Sequence, residues 1–249
     1  MKTKPKYVRI ATVFFWSVAI LLFPVRMVSA QGFLNLNFEQ ASIASAPPNY
    51  TPSDAVNPIS AASALPYWTV TEDSTICTAV WGTPDALDET SVALVYGSNS
   101  PIQGNYSVQL TAYADAPAGL YRSSSISQTG VIPLDAQSIQ FLLSSPSQAG
   151  DVPPNPIVTL DGTPISLSVI SQSDGVTLMG GNISAFAGDS ETLAFLCEAT
   201  TGGAFPSNEN YFNLDDIQFS TSPVPEPTTL ALSVVGGLFF TWRRWKKLQ

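Results

Sequence analysis

The chain contains no histidine. That removes a Ser-His-Asp triad, a His-ligated zinc and a histidine general base, each of which needs an imidazole. No G-x-S-x-G elbow, P-loop or dinucleotide-binding glycine pattern is present. Chemistry would have to come from the 19 Asp and Glu residues. A glycosidase needs two carboxyls held about 5–10 Å apart, which closeness in sequence does not supply. The expectation is therefore a chain that is not an enzyme, with no catalytic residues. Two acids still stand out by position. Glu39 follows the apolar–polar run Phe33 to Phe38, and Asp215 lies in the alternating run Tyr211 to Phe219. Period two puts Asp215 on one face with Ile217 and Phe219, the core side, and turns Asp216 to solvent. A carboxylate there is costly unless paired or metal-bound. Between residues 31 and 222 the sequence offers one Arg and no Lys to pair with it. Either a hard dication such as calcium is held by Glu39, Asp215 and backbone carbonyls, or Asp215 caps backbone amides at the sheet rim without metal.

The remaining candidates are sulfur and aromatic. Cys77 and Cys197 are the only cysteines and form no C-x-x-C pair. In an oxidising compartment they could close a loop of about 120 residues, worth up to ~4–5 kcal/mol in the chain-entropy model; otherwise they are two buried thiols. Tyr50, Tyr67, Trp81, Tyr113 and Tyr121 are the candidate sugar-stacking platforms, though each type more often packs a core.

The elements that must position these residues read as short strands. Phe33 to Phe38 suits a first strand, with Leu34, Leu36 and Phe38 on one face. Residues 44 to 64 form a Pro-rich loop, and Tyr67 to Val70 open the next strand, with Trp68 plugging the core. Strands follow over 74–80, 91–96, 106–113, 119–128 and 136–144. A hairpin is expected over 157–170 about Asp161-Gly162, and another turn at Ser173-Asp174-Gly175, since Asp-Gly supplies the positive φ a tight turn needs. Further strands cover 176–179, 193–199 and 210–220. With no convincing long helix, the fold class is all-β, a two-sheet antiparallel sandwich over residues 31–222.

Both ends differ from that body. Lys2, Lys4, Lys6 and Arg9 precede an apolar stretch, and Val28-Ser29-Ala30 offers small residues for cleavage, so residues 1–30 read as a signal peptide or an uncleaved anchor. Residues 223–249 begin with Pro225-Glu226-Pro227. An uncharged run from Thr228 to Trp242 follows, then Arg243, Arg244, Lys246 and Lys247. As a transmembrane helix, 228–242 would extend about 22 Å, short of the ~30 Å hydrocarbon core, with its cations on the cytoplasmic side. Between the two ends one cation, Arg122, faces 18 acids, a net charge of −17. Such a surface repels nucleic acid.

The order Pro-Glu-Pro, apolar helix, basic cluster resembles the PEP-CTERM sorting signal. The resemblance implies an exosortase as partner, a membrane-embedded protease-transpeptidase acting near Pro225-Glu226-Pro227. It also implies an inner-membrane anchor before processing, then the cell envelope or extracellular matrix. The body is similar to jelly-roll carbohydrate-binding modules and galactose-binding-like domains. The likeness lies in Asn37-Phe38-Glu39, Pro66 to Val70, Gly104 to Leu110, and Leu214-Asp215-Asp216-Ile217-Gln218-Phe219. In such domains the first and last strands are neighbours, and a structural calcium often sits where they meet. Together these imply an exported, non-enzymatic surface or matrix protein, structural or adhesive, associated with exopolysaccharide. A carbohydrate-binding module proper is the alternative, and a glycoside hydrolase a more distant one.

Overall fold

The computed structural model describes residues 32–44, 57–82, 90–99, 101–115, 120–144, 156–199 and 209–224. The elements are β1 (Ile59–Ser60), α1 (Ala61–Ala64), β2 (Thr69–Glu72), β3 (Thr75–Ile76), β4 (Ala79–Val80), β5 (Ser91–Tyr96), β6 (Tyr106–Asp115), β7 (Leu120–Arg122) and β8 (Ser124–Val131). Then come β9 (Ser138–Ser144), β10 (Ile157–Leu160), β11 (Thr163–Pro164), β12 (Leu167–Ser173), β13 (Val176–Asn182), β14 (Ser190–Cys197) and β15 (Glu209–Ser220). A six-stranded antiparallel sheet has the order β11-β10-β14-β8-β2-β3, and a seven-stranded one the order β12-β13-β9-β15-β6-β5 with β7 also on β6. The fold is the all-β two-sheet sandwich that the alternating runs require. The signal segment 1–30 and the tail helix 228–242 lie outside the described residues. Among the described residues no helix is long and apolar enough to cross a membrane.

Aromatic rings link the two sheets. Phe38 stands 5.8 Å from Trp68, Trp68 6.5 Å from Phe195, and Phe195 5.1 Å edge-on from Phe141, measured between ring centroids. Phe195 belongs to the six-stranded sheet and Phe141 to the other. All four rings are buried, so they form a spine through the core, and edge-to-face contacts add stability beyond the area they bury. Trp68 plugs the core as its sequence position requires, and its indole N–H is satisfied by Asn35 O at 3.1 Å.

Several strands depart from the alternating pattern, each for a local reason. Phe33 to Phe38 is not a strand: Asn35 and Phe38 have φ of 51° and 57°, and only Gly32 bridges to Val131. The expected 74–80 strand breaks at Cys77, because β3 joins β2 while β4 pairs with β1. The expected 119–128 strand breaks at Ser123, with β7 on one sheet and β8 on the other. The 44–64 segment is not all loop, since it contains β1 and α1. Asp161-Gly162 does turn, at φ 43° and 77°, but its returning strand β11 is two residues long. β12 instead crosses to the other sheet and pairs with β13 about Asp174-Gly175, at φ 52° and 79°.

Cys77 and Cys197 are buried and free, so the disulfide is not formed. The sheet order gives the reason. Cys77 follows β3 and Cys197 ends β14, with β2 and β8 between them. Three inter-strand steps of ~4.8 Å separate them by about 14 Å, roughly twice the Cα separation a disulfide spans. Cys197 Sγ donates to Asn210 O at 3.2 Å, and burial pushes its thiol up to about 12.

Candidate functional site

The two singled-out carboxylates hold one segment, the loop 101–105 that leads into β6. Glu39 Oε1 accepts Asn105 N–H at 2.8 Å and Tyr106 N–H at 3.1 Å, while Oε2 accepts the Asn105 side-chain amide at 2.9 Å. Asp215 Oδ2 accepts Gln103 N–H and Ser107 Oγ–H, both at 2.9 Å, and Oδ1 accepts Asp216 N–H at 2.7 Å. Ser107 Oγ accepts in turn from Ile102 N–H at 2.7 Å. The Gln103 and Asn105 amides of the loop are thus met by charge-assisted bonds, and the Ile102 amide by a hydroxyl, rather than by a strand partner.

Asp215 is not on the core side of β15. Phe212 and Leu214 point into the core, and so does Ile217. That needs an extra residue: the register shifts between Asp215 and Gln218, with Asp216 at φ 47°. The β-bulge flips the period, so Asp215, opposite Leu142, lies on the outer face of the seven-stranded sheet. It is nonetheless only 1% exposed. Asp216 is half-buried rather than free in solvent and accepts the Gln218 side-chain amide at 2.6 Å.

The two carboxyls are shifted in opposite directions. Burial acts most strongly on Asp215, and the bonds from Gln103, Ser107 and Asp216 offset it only in part, so its pKa stands at about 6. For Glu39 burial is outweighed by the Asn105 side chain and the Asn105 and Tyr106 amides, which hold it below the usual range. Calcium takes six to eight oxygen ligands. Both carboxylates accept from N–H and O–H donors of the protein itself. Among the described residues no group of three or more Cys, Asp or Glu side chains is set to hold a metal ion.

The clasp around Glu39 went unread in the sequence. Asn35 is buried; its Oδ1 accepts Gln40 N–H at 2.9 Å and its carbonyl takes the Trp68 indole. Gln128 closes the other side, its amide exchanging bonds of 2.6 and 3.0 Å with the backbone of Leu34 as a neighbouring strand would. Gly104, at φ 57°, is the one position where Glu39 could rest, since a Cβ there would collide with its carboxylate. Gly104-Asn105 just before an alternating strand is the turn signal that could have marked this. The first and last segments do meet, through Ile217 N–H to Leu36 O at 3.0 Å and the rings of Phe33 and Phe219 at 5.1 Å.

Among the described residues the aromatic candidates are not assembled into a platform. Trp81 is 4% exposed and belongs to the interior, and Tyr113 is half-buried. Tyr67 and Tyr121 are exposed at 57% and 51%, but Tyr67 lies in the turn before β2 of the six-stranded sheet and Tyr121 on β7, which pairs with β6 of the other. Tyr50 lies outside the described residues, as do Pro225, Glu226, Pro227, Arg243 and Arg244. The chain emerges towards them from Val224, which rests over Gly180 on the outer face of β13.

The segment after that exit decides where the protein goes. Residues 223–245 match the PEP-CTERM protein-sorting motif. The PEP-CTERM signal makes the chain an exosortase substrate, exported and membrane-anchored before that membrane enzyme processes it. No curated protein and no solved structure matches the chain.

Proposed function

We propose that the PEP-CTERM chain is a non-enzymatic structural or adhesive component of the cell envelope or extracellular matrix, and that it associates there with exopolysaccharide. The observation carrying this is the outer face of the six-stranded sheet. With Val70, Ile126 and Phe195 turned inward, the register leaves Thr69 and Thr71 of β2, Ser125, Ser127 and Thr129 of β8 and Thr192 of β14 side by side on the outside. The row carries hydroxyls and methyls, with the Asp161 carboxylate at its Thr192 end, where Oδ1 accepts Thr192 N–H at 2.7 Å, on a body whose net charge is −17. A neutral polyhydroxylated polymer can exchange hydrogen bonds along the row. Each bond contributes about 0.5–1.5 kcal/mol net. Affinity then comes from repetition along the polymer rather than from a deep pocket.

The test is retention of the full chain on immobilised neutral polysaccharide. Thr71→Glu with Ser127→Glu places two charges mid-face and should abolish retention while leaving the melting temperature in place; retention equal to wild type would overturn the assignment of that face. A carbohydrate-binding module proper finds support in Tyr67, which is exposed on a left-handed backbone of φ 74° between Pro66 and Trp68. Tyr67→Ala separates the two: a saturable binding isotherm lost in that variant alone favours the module.

A further inference from the structure

An edge strand carries a row of unpaired N–H and C=O groups, a template on which a sheet can grow. Among the described residues, three of the four end strands of the two large sheets are blunted. β3 and β11 are two residues long. β5 is covered by Trp81, through Trp81 N–H to Val92 O and Leu94 N–H to Trp81 O, both 2.9 Å. The fourth, β12, runs seven residues as Leu-Ser-Val-Ile-Ser-Gln-Ser, without charge or proline, and its Val169 is 59% exposed. We infer that β12 is a self-association edge, through which two copies of this chain pair antiparallel into one continuous sheet.

The charge distribution selects a second copy at this edge. Two bodies of −17 repel over most of their surface, and the only acid on the β12–β13 hairpin is Asp174 at its turn. Antiparallel pairing centred on Ile170 leaves the two Asp174 side chains about 27 Å apart along the ladder, well outside the ~8–10 Å Debye length. The exit of the tail points the same way. A Cβ built on Gly180 would stand 2.9 Å from Ile170 Cδ1 and 3.1 Å from Val224 Cγ2, so the chain leaves the domain beside this edge. A two-fold axis perpendicular to the sheet keeps both Val224 residues on one face, and both tails can then enter one bilayer. The register shift at Ile170 bends β12, so the ladder is short. A short ladder pairs weakly in solution and gains most from confinement to a membrane, a step that rests on the anchoring described above.

The experiment is a cysteine scan of the full chain in neutral phospholipid vesicles, with single substitutions at Leu167, Ser168, Val169, Ile170, Ser171, Gln172 and Ser173 under mild oxidation. The native thiols are buried and stay silent. Each position away from the axis separates the paired cysteines by a further ~6.7 Å, so three positions away they stand about 20 Å apart, beyond disulfide reach. Crosslinked dimer should peak at one position and fall about tenfold three residues away, while Val169→Lys removes the peak with an unchanged melting temperature. A flat profile, or an Ile76→Cys control on β3 that crosslinks as fast, would overturn the inference. A chain that fails to float with the vesicles overturns the anchoring alone; the same scan at high concentration in detergent then decides the edge by the same criterion.

Discussion

Asp215 should make the fold less stable as the pH rises through the weakly acid range, the reverse of the usual carboxylate. Its pKa is about 6 in the folded chain against 3.8 for the free group. The folded state therefore binds this proton more tightly than the unfolded one. The contribution is fully present below about pH 3.8, is lost progressively from there to about pH 6, and is gone at neutrality. A displacement of roughly two units at 1.36 kcal/mol each is about 3 kcal/mol. For a domain of this size, at ~2–4 °C per kcal/mol, that is a fall of about 6–12 °C in melting temperature. The perturbation is Asp215→Asn, which keeps the shape and one acceptor for Gln103 and Ser107. It removes the titration and loses the bond to Asp216 N–H, a pH-independent offset. Thermal melts of both chains in detergent from pH 4 to 7.5 give the comparison. Every other carboxyl titrates in both chains and cancels, so the wild-type curve should descend towards, and at neutral pH below, the line set by that offset. Curves that stay parallel within about 2 °C across this range would refute the reasoning, because Asp215 would then ionise at the same pH folded and unfolded.

Gly104→Ala combines a left-handed residue, about 1–2 kcal/mol, with the displacement of a carboxylate that holds three donors, about 1–3 kcal/mol. Its melting temperature should fall by about 5–15 °C in a thermal scan. Glu39→Gln should lose stability at neutral pH and converge on wild type as the pH drops through the depressed pKa of Glu39, the opposite sign to Asp215. Chelator should leave the wild-type melt unmoved, since N–H donors already face both carboxylates; a fall of several degrees on adding EDTA, reversed by calcium, would restore calcium as the partner of Glu39 and Asp215. Reductant should likewise change nothing in the melt, and denatured but not native chain should react with two equivalents of a thiol reagent at Cys77 and Cys197.

What the sequence made legible follows from where its periods hold. Ser91 to Tyr96 is a short apolar run, buried on both faces through Val95, and the inward row Val108, Leu110, Ala112 an uninterrupted period-two one, and both strands stand where the sequence puts them. Asp174-Gly175 marked its hairpin because the dipeptide fixes two positive φ angles by itself. Asp161-Gly162 did the same for its turn but could not say which strand returns, since that depends on where β12 finds a partner. Alternation failed where one residue changed hand. Asn35 and Phe38 read as polar-out and apolar-in, yet left-handed backbone at both buries them together. Asp216 inserted a bulge that no local propensity announces, and so put Asp215 on the wrong side of the sheet. Of the two roles the sequence left open for Asp215, its bonds from the Gln103 and Asp216 amides fit the amide-accepting one. The loop 101–105 that Glu39 and Asp215 both hold could not be named from either acid, because it lies far from both in sequence and gives no charge or sulfur to flag it.

The closure of the domain and the processing of its ends are physically connected. The signal segment is expected to end at Ala30, and the clasp begins two residues later with the Gly32–Val131 bridge. The sorting motif begins at Pro223, and Val224, where the described residues end, rests over Gly180. Between these limits the two ends of the body are tied to each other, by Leu36 to Ile217 and Phe33 to Phe219, and through Glu39 and Asp215 to the same loop. Nothing in that tie uses a residue beyond Val224. Cleavage near Pro225-Glu226-Pro227 would leave the strand before the cut in place, because β6 holds residues 209–214 and β9 holds residues 213–215 and 218–220. A domain closed by its terminal strand alone would fray from the cut inward. Here the bulge at Asp216 and the carboxylate beside it hold β15 to the loop 101–105 well upstream of the exit, so the core is closed before the sorting motif begins.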